Sequence, residues 1–155
     1  MVGNSKWDDY FLRICKAASR LSKDESTKLG AVIVGPDKEI RSTGYNSFPR
    51  GIDDDWPPRQ RRPEKYFFFE HAERNAIYNA ARVGVPLKGS ILYCKWPPCA
   101  ECARACIQVG IIEIVYEELP VRPEWESSFS AARQMLDEAG IKLRRAMRSN
   151  IEIPT

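Results

Sequence analysis

The chain has 155 residues, of which 43% are hydrophobic, 29% charged and 10% aromatic. That is one domain's length, too apolar and too balanced in charge for intrinsic disorder. Lys and Arg total 24 against 21 Asp and Glu, a formal net charge of +3, which argues against a dedicated duplex nucleic-acid binder and still allows a pocket for one phosphate. Five cysteines, an odd number, and a single histidine, His71, stand out. A secreted disulfide scaffold pairs its cysteines, so a reducing compartment is expected. One histidine excludes any mechanism that needs two. There is no run of about 18 apolar residues, so no membrane-spanning helix is expected. The first residues lack a basic-then-apolar leader, and the expected location is the cytoplasm.

Trp7, Tyr10, Phe11, Ile14, Cys15, Ala18 and Leu21 recur at three- and four-residue steps. They form the apolar face of a helix predicted over about 6–22. Residues 29–34 read as a strand, Gly35-Pro36-Asp37-Lys38 as a turn, and 39–45 as the return strand of a hairpin. Residues 46–65, rich in proline and charge around Trp56, read as a long loop, and such loops are usually functional or mobile. Residues 70–83 carry Ala72, Ala76, Ile77, Ala80 and Ala81 at helical spacing, with Gly84 as the stop. Strands are predicted at 90–95 and 111–116, with a helix over 99–109 between them behind Pro97-Pro98. A loop at 120–123, a helix over 125–139 ended by Gly140, and a strand at 141–145 complete the chain. The order αββαβαβαβ predicts a single α/β domain over 1–155, with a five-stranded mixed sheet covered on both faces.

His71-Ala72-Glu73 opens the second predicted helix, and Pro98-Cys99-Ala100-Glu101-Cys102 opens the third. Zinc prefers His nitrogen and Cys thiolate, and a catalytic site keeps three protein ligands and one open position. His71, Cys99 and Cys102 make that count for one Zn2+ per subunit. The two cysteines are three apart, so a first helical turn directs both sulfurs to one side. The partial positive charge of a helix N-terminus favours their thiolate forms. Water on such a zinc reaches a pKa of about 7. Glu73, two residues past His71, can reach the same pocket as a proton carrier without binding the metal. H-x-E followed by P-C-x-x-C is the pattern of zinc nucleobase deaminases. The alternative is a closed structural zinc site completed by Cys106 or Cys94, which leaves Glu73 unexplained. Otherwise Cys15, Cys94 and Cys106 read as core. Trp96 either walls a pocket or caps the core, and Arg59, Arg61 and Arg62 form a small basic patch.

Together with Ser22-Lys23-Asp24, the run from Ser26 to Val34, Gly44-Tyr45-Asn46 and Ala139-Gly140-Ile141, these motifs carry a family resemblance. The sequence resembles the deoxycytidylate (dCMP) deaminase branch of the zinc cytidine-deaminase superfamily over about residues 5–145. The resemblance implies a three-layer α/β/α cytidine-deaminase-like fold with a five-stranded mixed sheet. It implies zinc on His71, Cys99 and Cys102, with Glu73 as the catalytic proton shuttle. It also implies hydrolysis of dCMP to dUMP and ammonia in pyrimidine deoxynucleotide metabolism, with allosteric control by dCTP and dTTP in a homo-hexamer. Asn46 matches the asparagine that contacts the substrate sugar, and Ala72 is carried with it as a substrate-binding position. The 5′-phosphate is expected at Ser22 and Lys23, where hydroxyl, charge and backbone N–H groups combine, with Lys28 a further candidate. Effectors are expected around 44–51. Ser47 stands where members often have glycine. No Cys or His lies between Asn46 and Glu70, so a second, structural zinc is not expected. A deaminase acting on cytosine or adenine in RNA or single-stranded DNA would share the metal motif, but would want a basic groove and stacking aromatics. The modest charge favours a mononucleotide.

Overall fold

The structure is a computed structural model and describes residues 5–147. Residues 1–4 and 148–155, part of the domain expected over 1–155, lie outside the described residues. Helix α1 (Ser5–Ser19) leads into a hairpin of β1 (Gly30–Val34) and β2 (Ile40–Tyr45). There follow the one-turn α2 (Lys65–Phe68), α3 (Ala72–Val83), β3 (Ile91–Cys94), α4 (Ala100–Gln108), β4 (Glu113–Tyr116), α5 (Glu126–Glu138) and β5 (Lys142–Arg145). Single 3-10 turns stand at Pro57–Gln60 and Pro123–Trp125.

The strands form one sheet in the order β2-β1-β3-β4-β5. β1 is antiparallel to β2 and to β3, while β3, β4 and β5 run parallel. This is the expected mixed sheet of five strands. Every residue of β1 is buried, because both faces of the strand are covered. Ala31 and Ile33 pack with Ile77, Leu92, Ile114 and Leu136 on the side of α3, α4 and α5. Val32 and Val34 pack with Phe11, Cys15, Tyr93 and Val115 on the side of α1. A strand buried on both faces reads as an unbroken apolar run rather than an alternation. Each fully buried Leu, Ile or Phe here contributes about 1.5–3 kcal/mol.

Gly44 sets the distance between β2 and α3. A Cβ at this position would lie 2.3 Å from Ala76 N and 2.4 Å from Ala72 O. Only glycine permits that approach, and the small buried residues Ala72, Ala76 and Ala80 of α3 complete it. The contact fixes where α3 begins, and hence where His71 and Glu73 stand.

Three local features differ from the sequence reading. The first helix ends at Ser19 rather than near 22, and Arg20, Leu21 and Ser22 continue in tight turns onto the carbonyls of residues 17–19. The helix read over 70–83 starts at Ala72, because Glu70 instead pairs with Ser47 in an antiparallel bridge. The long loop read over 46–65 contains a 3-10 turn and runs at its last residue into the one-turn α2. A single helical turn shows no period that a sequence can display.

Candidate active site

Two helix N-termini converge on one point. His71 is the N-cap of α3, in an extended conformation at φ −79° and ψ 153°. Cys99 is the N-cap of α4, also extended, at φ −70° and ψ 171°. N-caps usually carry Ser, Thr, Asp or Asn that bond the first turn. Neither side chain here makes such a bond, so both are left to face the site. Cys102 follows in the first turn of α4.

His71 Nδ1 stands 3.5 Å from Cys99 Sγ and 3.5 Å from Cys102 Sγ. All three ligand atoms lie within 4.8 Å of one another, the only such cluster among the described residues. Zinc bonds of ~2.0–2.1 Å to nitrogen and ~2.3 Å to sulfur at a tetrahedral angle put N and S about 3.6 Å apart. The donor set therefore fits zinc in both chemistry and spacing. A hydrogen bond from the Cys102 thiol, reinforced by His71, draws Cys99 down to about 3. The same bond, with burial, pushes Cys102 up. Zinc takes both sulfurs as thiolates, so metal binding releases the protons they carry. No fourth thiol joins them. Cys106 is packed in the core, and Cys94 Sγ donates to Trp96 O at 3.0 Å.

Glu73 lies in the first turn of α3 and is buried. Burial pushes its carboxyl up, which suits a group that must carry a proton. Glu73, His71 and Cys99 open onto a cleft of about 600 Å³, a volume ordinary for small-molecule sites. Trp125 lies 5.7 Å from the His71 ring, and Tyr66 meets Trp125 edge-on at 5.9 Å. Trp96 is a further wall of the cleft.

The model of the cytidine and deoxycytidylate deaminase zinc-binding region matches residues 5–118. This chain belongs to that deaminase family. A probable deoxycytidylate deaminase of Drosophila melanogaster is 36% identical over 149 residues, covering 90% of this chain and 71% of the fly protein. The deoxycytidylate deaminase of Homo sapiens is 35% identical over 145 residues, covering 90% of this chain and 79% of its own. The crystal structure of dCMP deaminase from the cyanophage S-TIM5 in complex with dCMP and dUMP aligns with a TM-score of 0.73. It is 22% identical and covers 94% of this chain and 98% of the phage chain. That likeness establishes the three-layer cytidine-deaminase-like fold. Zinc is the family's metal, and His71, Cys99 and Cys102 are positioned to hold it.

Of the four substrate-binding positions read from the sequence of this deaminase-family chain, only Asn46 lines the cleft. Ser22 is buried, donates its hydroxyl to Asn46 O at 2.7 Å and accepts from Asp24 N at 3.2 Å. It builds the turn behind Asn46 and does not line the cleft. Lys23 extends the other way, to Asp54 Oδ2 at 2.9 Å. Lys28 is held on Ser22 O at 2.6 Å. Ala72 is buried against β2. The cations that line the cleft are Arg62, Lys65, Arg74 and Arg122. Lys65 is committed to Asp24, and Arg74 to Glu70 and Glu101. Arg62 lies over the Tyr66 ring at 5.7 Å. Arg122 lies over Trp96 at 5.6 Å, donates to Thr27 Oγ1 at 3.2 Å and is 3.6 Å from Glu124. Arg62 was visible in the sequence only as part of a basic patch. Arg122 gave no local signal, since Thr27 is 95 residues away.

Proposed function

We propose that this chain catalyses the hydrolytic deamination of dCMP to dUMP and ammonia, with one zinc per subunit. The observation that carries this reading is the three-ligand cluster of His71, Cys99 and Cys102, with no fourth thiol, opening beside buried Glu73 onto one cleft. The fly and human relatives bear the corresponding name, and the phage structure holds dCMP and dUMP. Bound zinc supplies a Lewis acid that brings the pKa of a water from roughly 15.7 to about 7.

Each protein group has a role in that reaction. Glu73 takes one proton from the water that attacks C4 and delivers it to N3, then takes the second from the new C4 hydroxyl and passes it to the departing amine, which leaves C4 as a carbonyl. The C4–N bond breaks and ammonia leaves. Trp125 and Tyr66 provide aromatic surface for the base, and their rings help exclude water. Asn46 receives the sugar. Arg62 and Arg122 take the 5′-phosphate through charge-assisted hydrogen bonds.

A single deaminase domain over 1–155, a cytoplasmic location, control by dCTP and dTTP, and assembly into a homo-hexamer belong to the same proposal. Among the described residues no helix is long and apolar enough to cross a membrane. Within 44–51, where effectors are expected, Asn46 and Phe48 are buried and Arg50 and Gly51 are exposed.

The test is ammonia release from dCMP, CMP, deoxycytidine and a short cytosine oligonucleotide. The proposal expects the highest kcat/KM for dCMP. A higher value for the oligonucleotide would make this a nucleic-acid deaminase. No release from any of the four, with zinc bound, would leave a structural zinc module.

A further inference from the structure

Asn46 is held in one orientation by three partners that agree. Its Oδ1 accepts from the Leu29 N–H at 2.8 Å. Its Nδ2 donates to the Thr27 carbonyl at 2.8 Å and to Asp24 Oδ2 at 3.1 Å. Turning the amide over would set NH2 against an N–H, and oxygen against a carbonyl and a carboxylate. The network therefore assigns the amide. Both Nδ2 hydrogens are spent on the protein, and Oδ1 keeps one unused lone pair.

Asp24 enforces this polarity, because an ionised carboxylate only accepts. It is 3% exposed and also accepts from the Ser26 N–H and hydroxyl and from the Thr27 N–H. A carboxylate buried this deeply needs a cation. Lys65 supplies it, with Nζ 2.6 Å from Asp24 Oδ2 and 2.8 Å from Ser26 Oγ. Lys65 is itself buried and packs its ammonium 5.1 Å from the Phe69 ring centre. It hangs from α2, the turn immediately before Glu70 and His71. One buried lysine thus pins the long loop to the turn that holds Asn46.

Resting on the dCMP reading above, we propose that Lys65 is a positioning residue which, through Asp24, makes Asn46 an acceptor-only reader of the substrate's sugar hydroxyl. The sugar of a 2′-deoxynucleotide 5′-phosphate keeps one free hydroxyl, at 3′. A donor there satisfies the remaining lone pair of Oδ1. A 3′ group that only accepts meets that lone pair with no proton between them.

Two measurements on the zinc-loaded protein test this. The first compares dCMP with its 3′-amino and 3′-fluoro analogues on the wild type. The amino analogue, a donor, keeps its kcat/KM, while the fluoro analogue loses about tenfold or more, chiefly in KM. Equal turnover of the fluoro analogue overturns the proposal. The second follows hydrogen exchange of the Asn46 side-chain amide by NMR without ligand. Both Nδ2 hydrogens are protected in the wild type and in Lys65→Arg. In Lys65→Met they exchange about tenfold faster, and KM for dCMP rises with little change in kcat. Wild-type exchange rates in a folded Lys65→Met overturn the proposal. So does one unprotected Nδ2 hydrogen in the wild type, whether or not the variant folds. If no nucleotide is deaminated, the dCMP reading fails, and the amide exchange still decides the clamp.

Discussion

Arg144 places two guanidinium nitrogens on the Asp8 carboxylate, at 2.6 and 2.9 Å, across 136 residues of chain. The pair joins α1 to β5, the first described helix to the last strand. Asp8 is 1% exposed and also accepts from the Tyr93 hydroxyl at 3.2 Å and the Met147 N–H at 3.1 Å. Arg144 further pairs with Glu113 on β4. Removing one partner of such a buried pair leaves the other uncompensated, which costs about 3–5 kcal/mol.

The pH dependence of stability follows from this pair. Burial alone would raise the Asp8 carboxyl, but the Arg144 hydrogen bonds and the Met147 N–H outweigh it and hold the group below its ordinary value. Asp24, with Lys65, is lowered against burial in the same way. Above the unfolded-chain value of about 3.9, both states are ionised and the full stabilisation is present. As pH falls below that value, the unfolded chain binds protons first, and stability drains away until the folded carboxyls protonate. Urea unfolding should therefore show a decline below about pH 4 from this source. Asp8→Asn should start about 3 kcal/mol lower at pH 7 and lose less with acid. An equal acid slope in the variant would remove Asp8 from this account.

Gly44→Ala should damage the metal site without touching a ligand. The added Cβ meets backbone atoms Ala76 N and Ala72 O, and backbone offers no rotamer to relieve the clash. α3 must move off β2, at about 1–3 kcal/mol. His71 immediately precedes α3 and moves with it, while Cys99 and Cys102 belong to α4. Thermal melting should shift down and zinc stoichiometry should fall together. Gly51→Ala is the control. Its Cβ meets nothing within 4 Å, although φ is +81°. It should cost about 1–2 kcal/mol for the left-handed backbone and leave zinc unchanged.

The metal ligands are legible in the sequence because their directions are set locally. His71 and Cys99 sit at N-caps and Cys102 in a first turn, so spacing alone aims them. The β1 core run is legible for a similar reason, since burial on both faces demands apolar residues throughout. Lys65 and Arg122 are not legible. Their partners Ser26 and Thr27 lie 39 and 95 residues away, and only the assembled fold brings them together. Lys23 is legible as part of a motif, but its pairing with Asp54 lies outside that motif. Asn46 is found by motif, while the polarity of its amide depends on a network that the motif does not contain.

Glu73→Gln and His71→Ala should separate chemistry from metal binding. Glu73 is not one of the clustered ligand atoms, so its amide variant should keep zinc and melt near the wild type. Its kcat should fall by about 10²–10⁴, the usual contribution of a positioned proton carrier. His71→Ala removes a ligand, so zinc content and melting temperature should fall together, as metal binding contributes to folding. Treating the wild type with a chelator should lower the melting temperature in the same way. Near-normal turnover in Glu73→Gln would show that another group carries the proton.

Arg122→Ala should identify the phosphate side of the cleft. The guanidinium is steered by Trp96 and Thr27, both of which line the cleft. Its ion pair with Glu124 is long, at 3.6 Å, and partly exposed, so a phosphate can compete for it. A hydrogen bond to a charged group is worth about 1.5–3 kcal/mol, which corresponds to roughly 10–100-fold in affinity. KM for dCMP should rise by about that factor, while KM for deoxycytidine, which has no phosphate, should barely move. Arg62→Ala should act in the same direction. Lys23→Ala should leave the ratio of the two KM values unchanged, because its ammonium sits on Asp54 outside the cleft. If Lys23→Ala raises KM selectively for dCMP and Arg122→Ala does not, the phosphate lies at the 22–23 turn after all, and the two arginines serve only the aromatic walls.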